Sequence, residues 1–357
     1  MSLQDIYLQL EAELMRRIAL FFASNQSLLD DNPLQWNMKK LSDLGALTDS
    51  NKKLIARYMN ITIPELNTLL EEQGIQSLSE QEAEMAKAAV NGRLKTAVPI
   101  AEDAALYATL STFQANARDK LNLVNTSIVG NAEEKVKQVI SQVTAEVLSG
   151  VSTSQQALTR FAGQFAEEGV PAYVSYKNNR QYSIEAYTQM VVRTVTNQVT
   201  AEMQMTRAES YGVDLIEISS HGGARPKCAP YQGKIYSKSG TSKKYPPLSK
   251  TSYGEVDGLA GINCGHRFYP YWEGKSRQTN KPLPKKENDR IYKESQKQRA
   301  LERAIRHAKR ERDFLKNANL PYEDAQRKVS NAQARMREFI DSTDRTRRYD
   351  RERVITN

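Results

Sequence analysis

Cysteine, histidine and long hydrophobic runs are all scarce in this sequence. Its 357 residues include two cysteines and three histidines, which is too few cysteines for a secreted disulfide framework and fits a reducing compartment. The apolar run from Ile18 to Ala23 is far too short to cross a bilayer. Asp5, Glu11 and Glu13 interrupt the first residues, where a signal peptide would be apolar. We therefore expect a soluble protein that is made in the cytoplasm and has no membrane partner.

Several sequence motifs of enzymes are also missing. Neither the phosphate loop GxxxxGK[ST] nor the dinucleotide fingerprint GxGxxG occurs, so nucleotide-driven chemistry is not indicated. The GxSxG elbow of serine hydrolases is absent as well, and three histidines offer few candidates for a catalytic base. These absences leave a structural protein and a metal-dependent enzyme as the classes to weigh.

Four of the five cysteine and histidine residues lie within one stretch of 46 residues. The stretch is rich in loop formers, because residues 221–274 hold 9 of the 17 glycines and 5 of the 12 prolines. Two thiolates and two imidazoles make a complete tetrahedral set for zinc, and small loop-rich modules often need such a cross-link. The sequence therefore predicts a zinc site whose ligands are His221, Cys228, Cys264 and His266.

The spacing of these four residues supports the zinc site only in part. Cys264 and His266 are one residue apart, so on an extended strand both side chains would face the same way. His221 and Cys228 are farther apart than usual for a ligand pair, with Pro226 between them. Two alternatives to zinc stay open. One is a buried pair of free cysteines beside hydrogen-bonded histidines, and the other is a Cys228–Cys264 disulfide.

A metal-dependent nuclease built around His221 and His266 is the competing functional class. Such an enzyme needs an open coordination position and a nearby group that activates water. Glu255 or Asp257 could supply that carboxylate. Four protein ligands would close the site, so the predicted zinc set favours a structural role.

Positive charge is concentrated at the end of the chain. The net charge is +9, and residues 275–357 carry 24 lysines and arginines against 13 acidic residues. A basic helical tail can neutralise phosphates without reading bases, although a solvated or protein-binding helix face has the same mixed-charge pattern. The candidate residues for contact with DNA or a partner are Arg299, Arg303, Arg306, Lys309, Arg310 and Arg312.

Hydrophobic periodicity predicts a mainly α protein in three parts. Residues 1–212 form an elongated helical N-terminal region, residues 213–275 a small α+β Cys/His module, and residues 276–357 a basic tail with a helical hairpin. The clearest helix is 183–211, which ends before Gly212 and leads into the strand-like run VDLIEISS.

Three finer expectations concern where individual helices begin and end, which further helices form, and whether the chain end is ordered. Thr62 and Pro64 are typical of a helix start, and Gly74 of a helix stop. Further helices are expected around 79–97, 100–126, 131–149 and 154–168. The arginine-rich run 343–354 is expected to be frayed or ordered only by a partner.

The Cys/His stretch and the tail resemble a known family. The segments that carry the resemblance are SSHGGARPKCAPYQGKIYSKSG, TSYGEVDGLAGINCGHRFYPYWEG, QRALERAIRHAKRER and ARMREFIDS. Over residues 180–345 they are similar to the minor capsid proteins of tailed bacteriophages, of the phage minor capsid protein 2 type. They are more remotely similar to the Mu F-like head morphogenesis family, which also has an Arg-Thr pair upstream, here Arg193-Thr194.

The resemblance implies a structural protein of the phage head. Such a protein is assembled in the host cytoplasm and lies at the portal and the inside of the procapsid. Each particle contains more than one copy, but only a small number. Its expected partners are the portal protein, a major capsid or scaffolding protein, and phage DNA during packaging or delivery. The alternatives are a metal-dependent nuclease and a transient head-assembly factor that uses the His221/His266 module.

Overall fold

The computed structural model describes residues 3–174, 181–274 and 276–355. It is 69% helical, which confirms the mainly α fold class. The helices are α1 (Leu3–Ala23), α2 (Gln26–Asp31), α3 (Pro33–Val90), α4 (Ala104–Leu148), α5 (Ser154–Glu168), α6 (Ile184–Ser210), α7 (Lys285–Asn317) and α8 (Glu323–Asp341). The strands are β1 (Pro171–Val174), β2 (Gln181–Ser183), β3 (Leu215–Ile218), β4 (Ile235–Ser237) and β5 (Phe268–Tyr271). Across the described ranges, no helix combines the length and hydrophobicity that a membrane crossing requires.

The chain folds into two compact units, and several helices supply residues to both. The first unit comprises Met1–Thr62, Leu121–Thr188 and Gln296–Asn357. The second comprises Ile63–Lys120 and Gln189–Ser295, and it contains the whole Cys/His stretch. The division into residues 1–212, 213–275 and 276–357 stays a prediction.

Helix α3 runs through the predicted start at Thr62 and Pro64 and through the predicted stop at Gly74, so these expectations were wrong. The Thr62 hydroxyl donates 2.7 Å to the carbonyl of Tyr58, which is a local bond that keeps the residue compatible with a helix interior. In the same way, the helices expected at 100–126 and 131–149 form the single helix α4. Local start and stop signals were here overridden by packing.

Gly74 is required by a close approach of α6 rather than by a helix end. A methyl group on its Cα would collide with the Met203 sulfur and lie 3.1 Å from Val199. Both side chains are buried. Gly45, in the same helix, has no neighbouring atom where its methyl group would lie.

Substitution of these two glycines should have opposite effects on stability. Gly74→Ala is expected to lower the free energy of unfolding by about 1–2 kcal/mol, because displacement of Met203 and crowding of Val199 outweigh the gain in helix propensity. Gly45→Ala is expected to raise it by roughly 0.5–1 kcal/mol through helix propensity alone. Urea unfolding of both variants measures the difference, and equal effects would show that Gly74 is not a packing position.

A buried charge cluster joins elements of the second unit. Arg207 of α6 is 1% exposed and donates 2.8 Å to Glu82, 2.9 Å to Asp103 and 2.9 Å to the carbonyl of Val98. The Tyr211 hydroxyl also donates to Glu82, at 2.7 Å. This cluster ties the end of α3 and the loop that follows it to the end of α6.

The tail forms the predicted helical hairpin. Leu301 and Ile305 of α7 pack against Met336 of α8, and all three are buried. The segment after α8 is not frayed, because it makes a helical turn at Tyr349–Glu352 and buries Glu352 to 1% exposure. The expectation of a frayed end was therefore wrong.

Candidate metal centre

A small antiparallel sheet is the base of the Cys/His module. β3 lies in the centre and pairs with β4 and β5, in the order β4-β3-β5. The predicted strand in VDLIEISS is therefore present as β3. Ile216, Ile218 and Phe268 point into a core that α6 covers with Met205, and Cys228 is part of this same core.

Polar side chains of α6 hold the loop that carries Cys264. The Thr194 hydroxyl accepts from the backbone N–H of Asn263 at 3.0 Å. The Asn197 amide donates to the carbonyl of Cys264, and Gln198 donates 2.8 Å to the loop at residue 260. Thr194 belongs to the Arg-Thr pair noted in the sequence, so that pair contributes to the position of the Cys/His loop.

The loop itself is tight because two of its glycines lie in close contact with backbone carbonyl groups. A methyl group on Gly258 would collide with the carbonyl oxygen of Ser252, and one on Gly261 with that of Glu255. The Arg225 guanidinium donates 3.1 Å to the carbonyl of Gly258. These contacts fix the loop that precedes Cys264.

The structure brings three of the four predicted ligands together. Cys228, Cys264 and His266 are all buried, and one ligand atom of each lies within 4.8 Å of those of the other two. The Cys264 sulfur is 3.4 Å from Nδ1 of His266. A sulfur and a nitrogen bound to one tetrahedral zinc ion lie about 3.5 Å apart, so this pair already has the spacing of two zinc ligands.

These residues meet in a way that the strand argument did not predict. Cys264 and His266 lie in an extended loop before β5, not on a strand. Cys228 comes from the loop after β3, just before a helical turn at Ala229–Tyr231. Both cysteines are free thiols, so the structure contains no Cys228–Cys264 disulfide.

The two thiols differ strongly in acidity. A hydrogen bond from the Cys228 thiol, helped by contact with His266, outweighs the effect of burial and holds the pKa of Cys264 well below its usual value. The same bond, together with burial, raises the pKa of Cys228. One proton is thus held between two sulfurs, at a place where a divalent cation could replace it.

His221 lies beside the group of three rather than within it. The residue is at the surface, but its ring is partly desolvated and its centre is 4.4 Å from that of the His266 ring. The loop after it is attached to α7, because Asn288 makes two hydrogen bonds of 2.8 and 2.9 Å with the backbone of Ala224. Desolvation, with the nearby His266 adding to it, lowers the pKa of His221 and favours the neutral imidazole that binds metals.

His266 keeps one ring nitrogen without a partner. Its Nε2 atom is buried and makes no hydrogen bond to any described residue. A buried polar atom of this kind needs an explanation, such as an ion or a water molecule. The 3.4 Å spacing of Nδ1 from the Cys264 sulfur is the observation that fits a shared metal ion. Nε2 lies on the other side of the ring, so it would need a separate partner such as a water molecule.

The carboxylates considered for a nuclease do not join this group. Glu255 and Asp257 are exposed and pair with Lys227, at 2.9 and 2.7 Å. Both carboxylates are turned to the surface lysine, so they are not placed to activate water at the Cys/His group.

The basic candidates on α7 have three different environments. Arg299 and Arg303 are exposed. Arg306 and Lys309 are half-buried and donate to backbone carbonyls near the chain end. Arg312 is half-buried and donates 2.7 Å to the neighbouring Asp313.

Arg310 is a structural residue, which corrects its assignment to the DNA or partner surface. It is 8% exposed and pairs with Glu11 at 3.1 Å. It also donates 2.9 Å to the carbonyl of Ala166 and 2.8 Å to that of Glu167. Because Glu11 lies 299 residues away in the sequence, no local pattern could have revealed this partner.

Comparison with known proteins gives one family and two relatives. The family model described as phage minor capsid protein 2 matches residues 1–341. A structural protein of Lactococcus phage LL-H is 25% identical over 99% of this chain and 98% of its own length. A structural protein of Lactococcus phage mv4 is 34% identical over 31% of this chain and 93% of its own length. No solved structure matches.

Proposed function

The chain belongs to the phage minor capsid protein 2 family, and from this premise we propose that it is a head protein at the portal and the procapsid interior. It is a phage structural protein located in the virion. In the proposed role it assists head assembly or DNA packaging and delivery, together with the portal protein and a major capsid or scaffolding protein. The observation that carries the proposal is the similarity over nearly the full length of a phage structural protein.

The proposed role of the Cys/His module is structural. Cys228, Cys264 and His266 would hold a zinc ion, with His221 beside them as the candidate fourth ligand. Zinc would supply a cross-link between the loop after β3 and the loop before β5, in a module with a small apolar core. The surface pairing of Glu255 and Asp257 with Lys227 supports this role over that of a nuclease.

The proposed role of the tail is contact with DNA through phosphates. Its support is the excess of 24 basic over 13 acidic residues in 275–357 and the exposure of Arg299 and Arg303. An acidic face of the portal protein is the other surface that this charge would suit.

Mass spectrometry of gradient-purified, nuclease-treated particles tests the location. Peptides from both 1–212 and 276–357 are expected in empty and in DNA-filled heads at a constant ratio to the portal protein. Cross-linking of the same particles should join this chain to the portal protein. A chain that is absent from both kinds of particle would instead be a transient assembly factor. Cleavage of DNA by the purified protein with Mg²⁺ or Mn²⁺ would contradict the structural role.

A further inference from the structure

The last described residues form a strap, residues 343–355, that lies along α7 within the first unit. Gln298 of α7 donates 2.9 Å to the carbonyl of Thr346, and Arg345 donates 2.5 Å to the side-chain oxygen of Gln298. The family model ends at residue 341, so the strap lies outside the part of the chain that it matches.

The strap uses two of the α7 cations. Arg306 donates to the carbonyl of Arg351, and Lys309 donates 2.9 Å to the carbonyl of Glu352. Both cations are half-buried, although the sequence pattern predicts them on a solvated face. The strap therefore covers the part of the basic face that these two residues would present.

The middle of the strap is held by a buried ion pair. Glu352 is 1% exposed and accepts hydrogen bonds of 2.7 and 2.6 Å from Arg347. A bidentate pair with this little exposure has a defined geometry. The pair lies within the strap, so it gives the strap a folded structure of its own.

The end of the strap places two apolar side chains at a pocket of mixed apolar and charged lining. Val354 and Ile355 line a pocket together with Leu8, Met15 and Phe314. Both strap residues are half-buried there. These apolar residues add to an ion pair of 3.2 Å between Arg353 and Asp5 at the same end of the strap.

The covered face continues into two exposed arginines, Arg299 and Arg303. Arg299, Arg303 and Arg306 follow at intervals of four and three residues, so they lie on one side of α7. Glu302 is buried beside this row, where burial raises its pKa above the usual value. Guanidinium groups in a row are suited to successive phosphates, which they bind through paired N–H groups.

We propose that Arg299, Arg303, Arg306 and Lys309 form a binding face for the phosphate backbone of DNA, and that the docked strap blocks half of it. The inference rests on the proposed contact of the tail with DNA and adds its regulation. With the strap docked, Arg306 and Lys309 are half-buried and donate to carbonyl groups of the strap, so they are less accessible to phosphate. Release of the strap opens the full row.

Removal of the strap separates two opposite effects on DNA affinity, which are the exposure of cations that the strap covers and the loss of the strap's own positive charge. Truncation after Ser342 deletes five arginines and three acidic residues, so loss of positive charge alone would weaken DNA binding. Exposure of two further cations would strengthen it by roughly three- to tenfold and steepen the slope of log affinity against log salt by about 2. Fluorescence anisotropy with a labelled random-sequence duplex measures both quantities.

A full-length variant makes the same test without loss of charge. Val354→Ser combined with Ile355→Ser removes the apolar contacts at the end of the strap and should also tighten binding, by less than the truncation does. Adding Arg306→Gln and Lys309→Gln to the truncated chain should cancel the gain. Circular dichroism and unfolding curves confirm that each variant remains folded.

The possible outcomes separate the strap inference from the proposed contact of the tail with DNA. Weaker binding by both the truncated chain and the serine variant would overturn the strap inference, while the DNA contact of the intact tail would stand. No binding of duplex by any form would overturn both. Binding of the truncated chain to polyglutamate but not to duplex would overturn DNA as the ligand.

Discussion

Replacement of Cys264 with serine is expected to abolish zinc binding and to destabilise the second unit by several kcal/mol. The sulfur is one of three buried ligand atoms gathered within 4.8 Å, and serine is a poor zinc ligand. Since the free energy of binding structural zinc is about 10–16 kcal/mol in small zinc modules, its loss removes folding energy directly. We expect the unfolding temperature of this unit to fall by more than about 10 °C. Metal analysis and calorimetry of the reduced protein measure the two effects.

The chain offers a matched control for this experiment. His307 is the one histidine of the sequence outside the Cys/His stretch, and it lies on α7 in the first unit. His307→Gln should keep its zinc. A chelator should lower the melting temperature of the wild-type protein towards that of Cys264→Ser and leave the serine variant unchanged. Equal melting of both proteins, with and without chelator, would rule out a stabilising metal.

Replacement of Arg207 with methionine is expected to cost about 3–5 kcal/mol of unfolding free energy. Methionine fills similar space but leaves the carboxylates of Glu82 and Asp103 without their cation. The Asp103 side chain is only 5% exposed, so water cannot replace the lost bonds. Urea unfolding of the second unit measures the change. Arg118→Met, an exposed position on α4, should change stability by less than about 0.5 kcal/mol.

The effect of Arg207→Met should depend on pH in a defined direction. Burial acts to raise the pKa of Glu82, but hydrogen bonds from Arg207 and Tyr211 outweigh it and hold the pKa below its usual value. A lowered carboxyl pKa stabilises the fold above the unfolded value of about 4.3, and this stability is lost as the pH falls. The difference between wild type and variant should therefore shrink below about pH 4. A difference that stays constant from neutral to acid pH would contradict the role of the Glu82 carboxylate.

The elements that the sequence predicted well are those with local causes. Helix α6 and its end before Gly212 follow from a continuous apolar stripe and a glycine, and Gly212 has the positive φ of 75° that such an end requires. Strand β3 follows from a short branched run. In each case the information lies within the element itself.

The predictions that failed depend on distant partners. Gly74 was predicted to end a helix. A glycine is needed there because Met203, on another helix, leaves no space for a side chain. Arg310 has the spacing of a solvated helix face, but Glu11 near the start of the chain buries it. Such contacts are set by tertiary packing between residues far apart in the chain, so no local sequence pattern predicts them.

The candidate site falls between these two cases. Clustering of cysteine and histidine in a loop-rich stretch correctly indicated that Cys228, Cys264 and His266 meet. The position of His221 was not predictable, because it depends on a loop held by Asn288 of α7. The role of α6 as the support of the Cys264 loop could be suspected only through the resemblance that marks Thr194.

The most direct test of a metal-linked structural module is the zinc content of the purified, reduced wild-type protein after dialysis. Elemental analysis against protein concentration should give one zinc ion per chain. It should do so without added metal, since structural zinc sites bind the ion tightly. A value near zero, in protein that is folded and fully reduced, would contradict the account and leave Cys228, Cys264 and His266 as a buried hydrogen-bonded group.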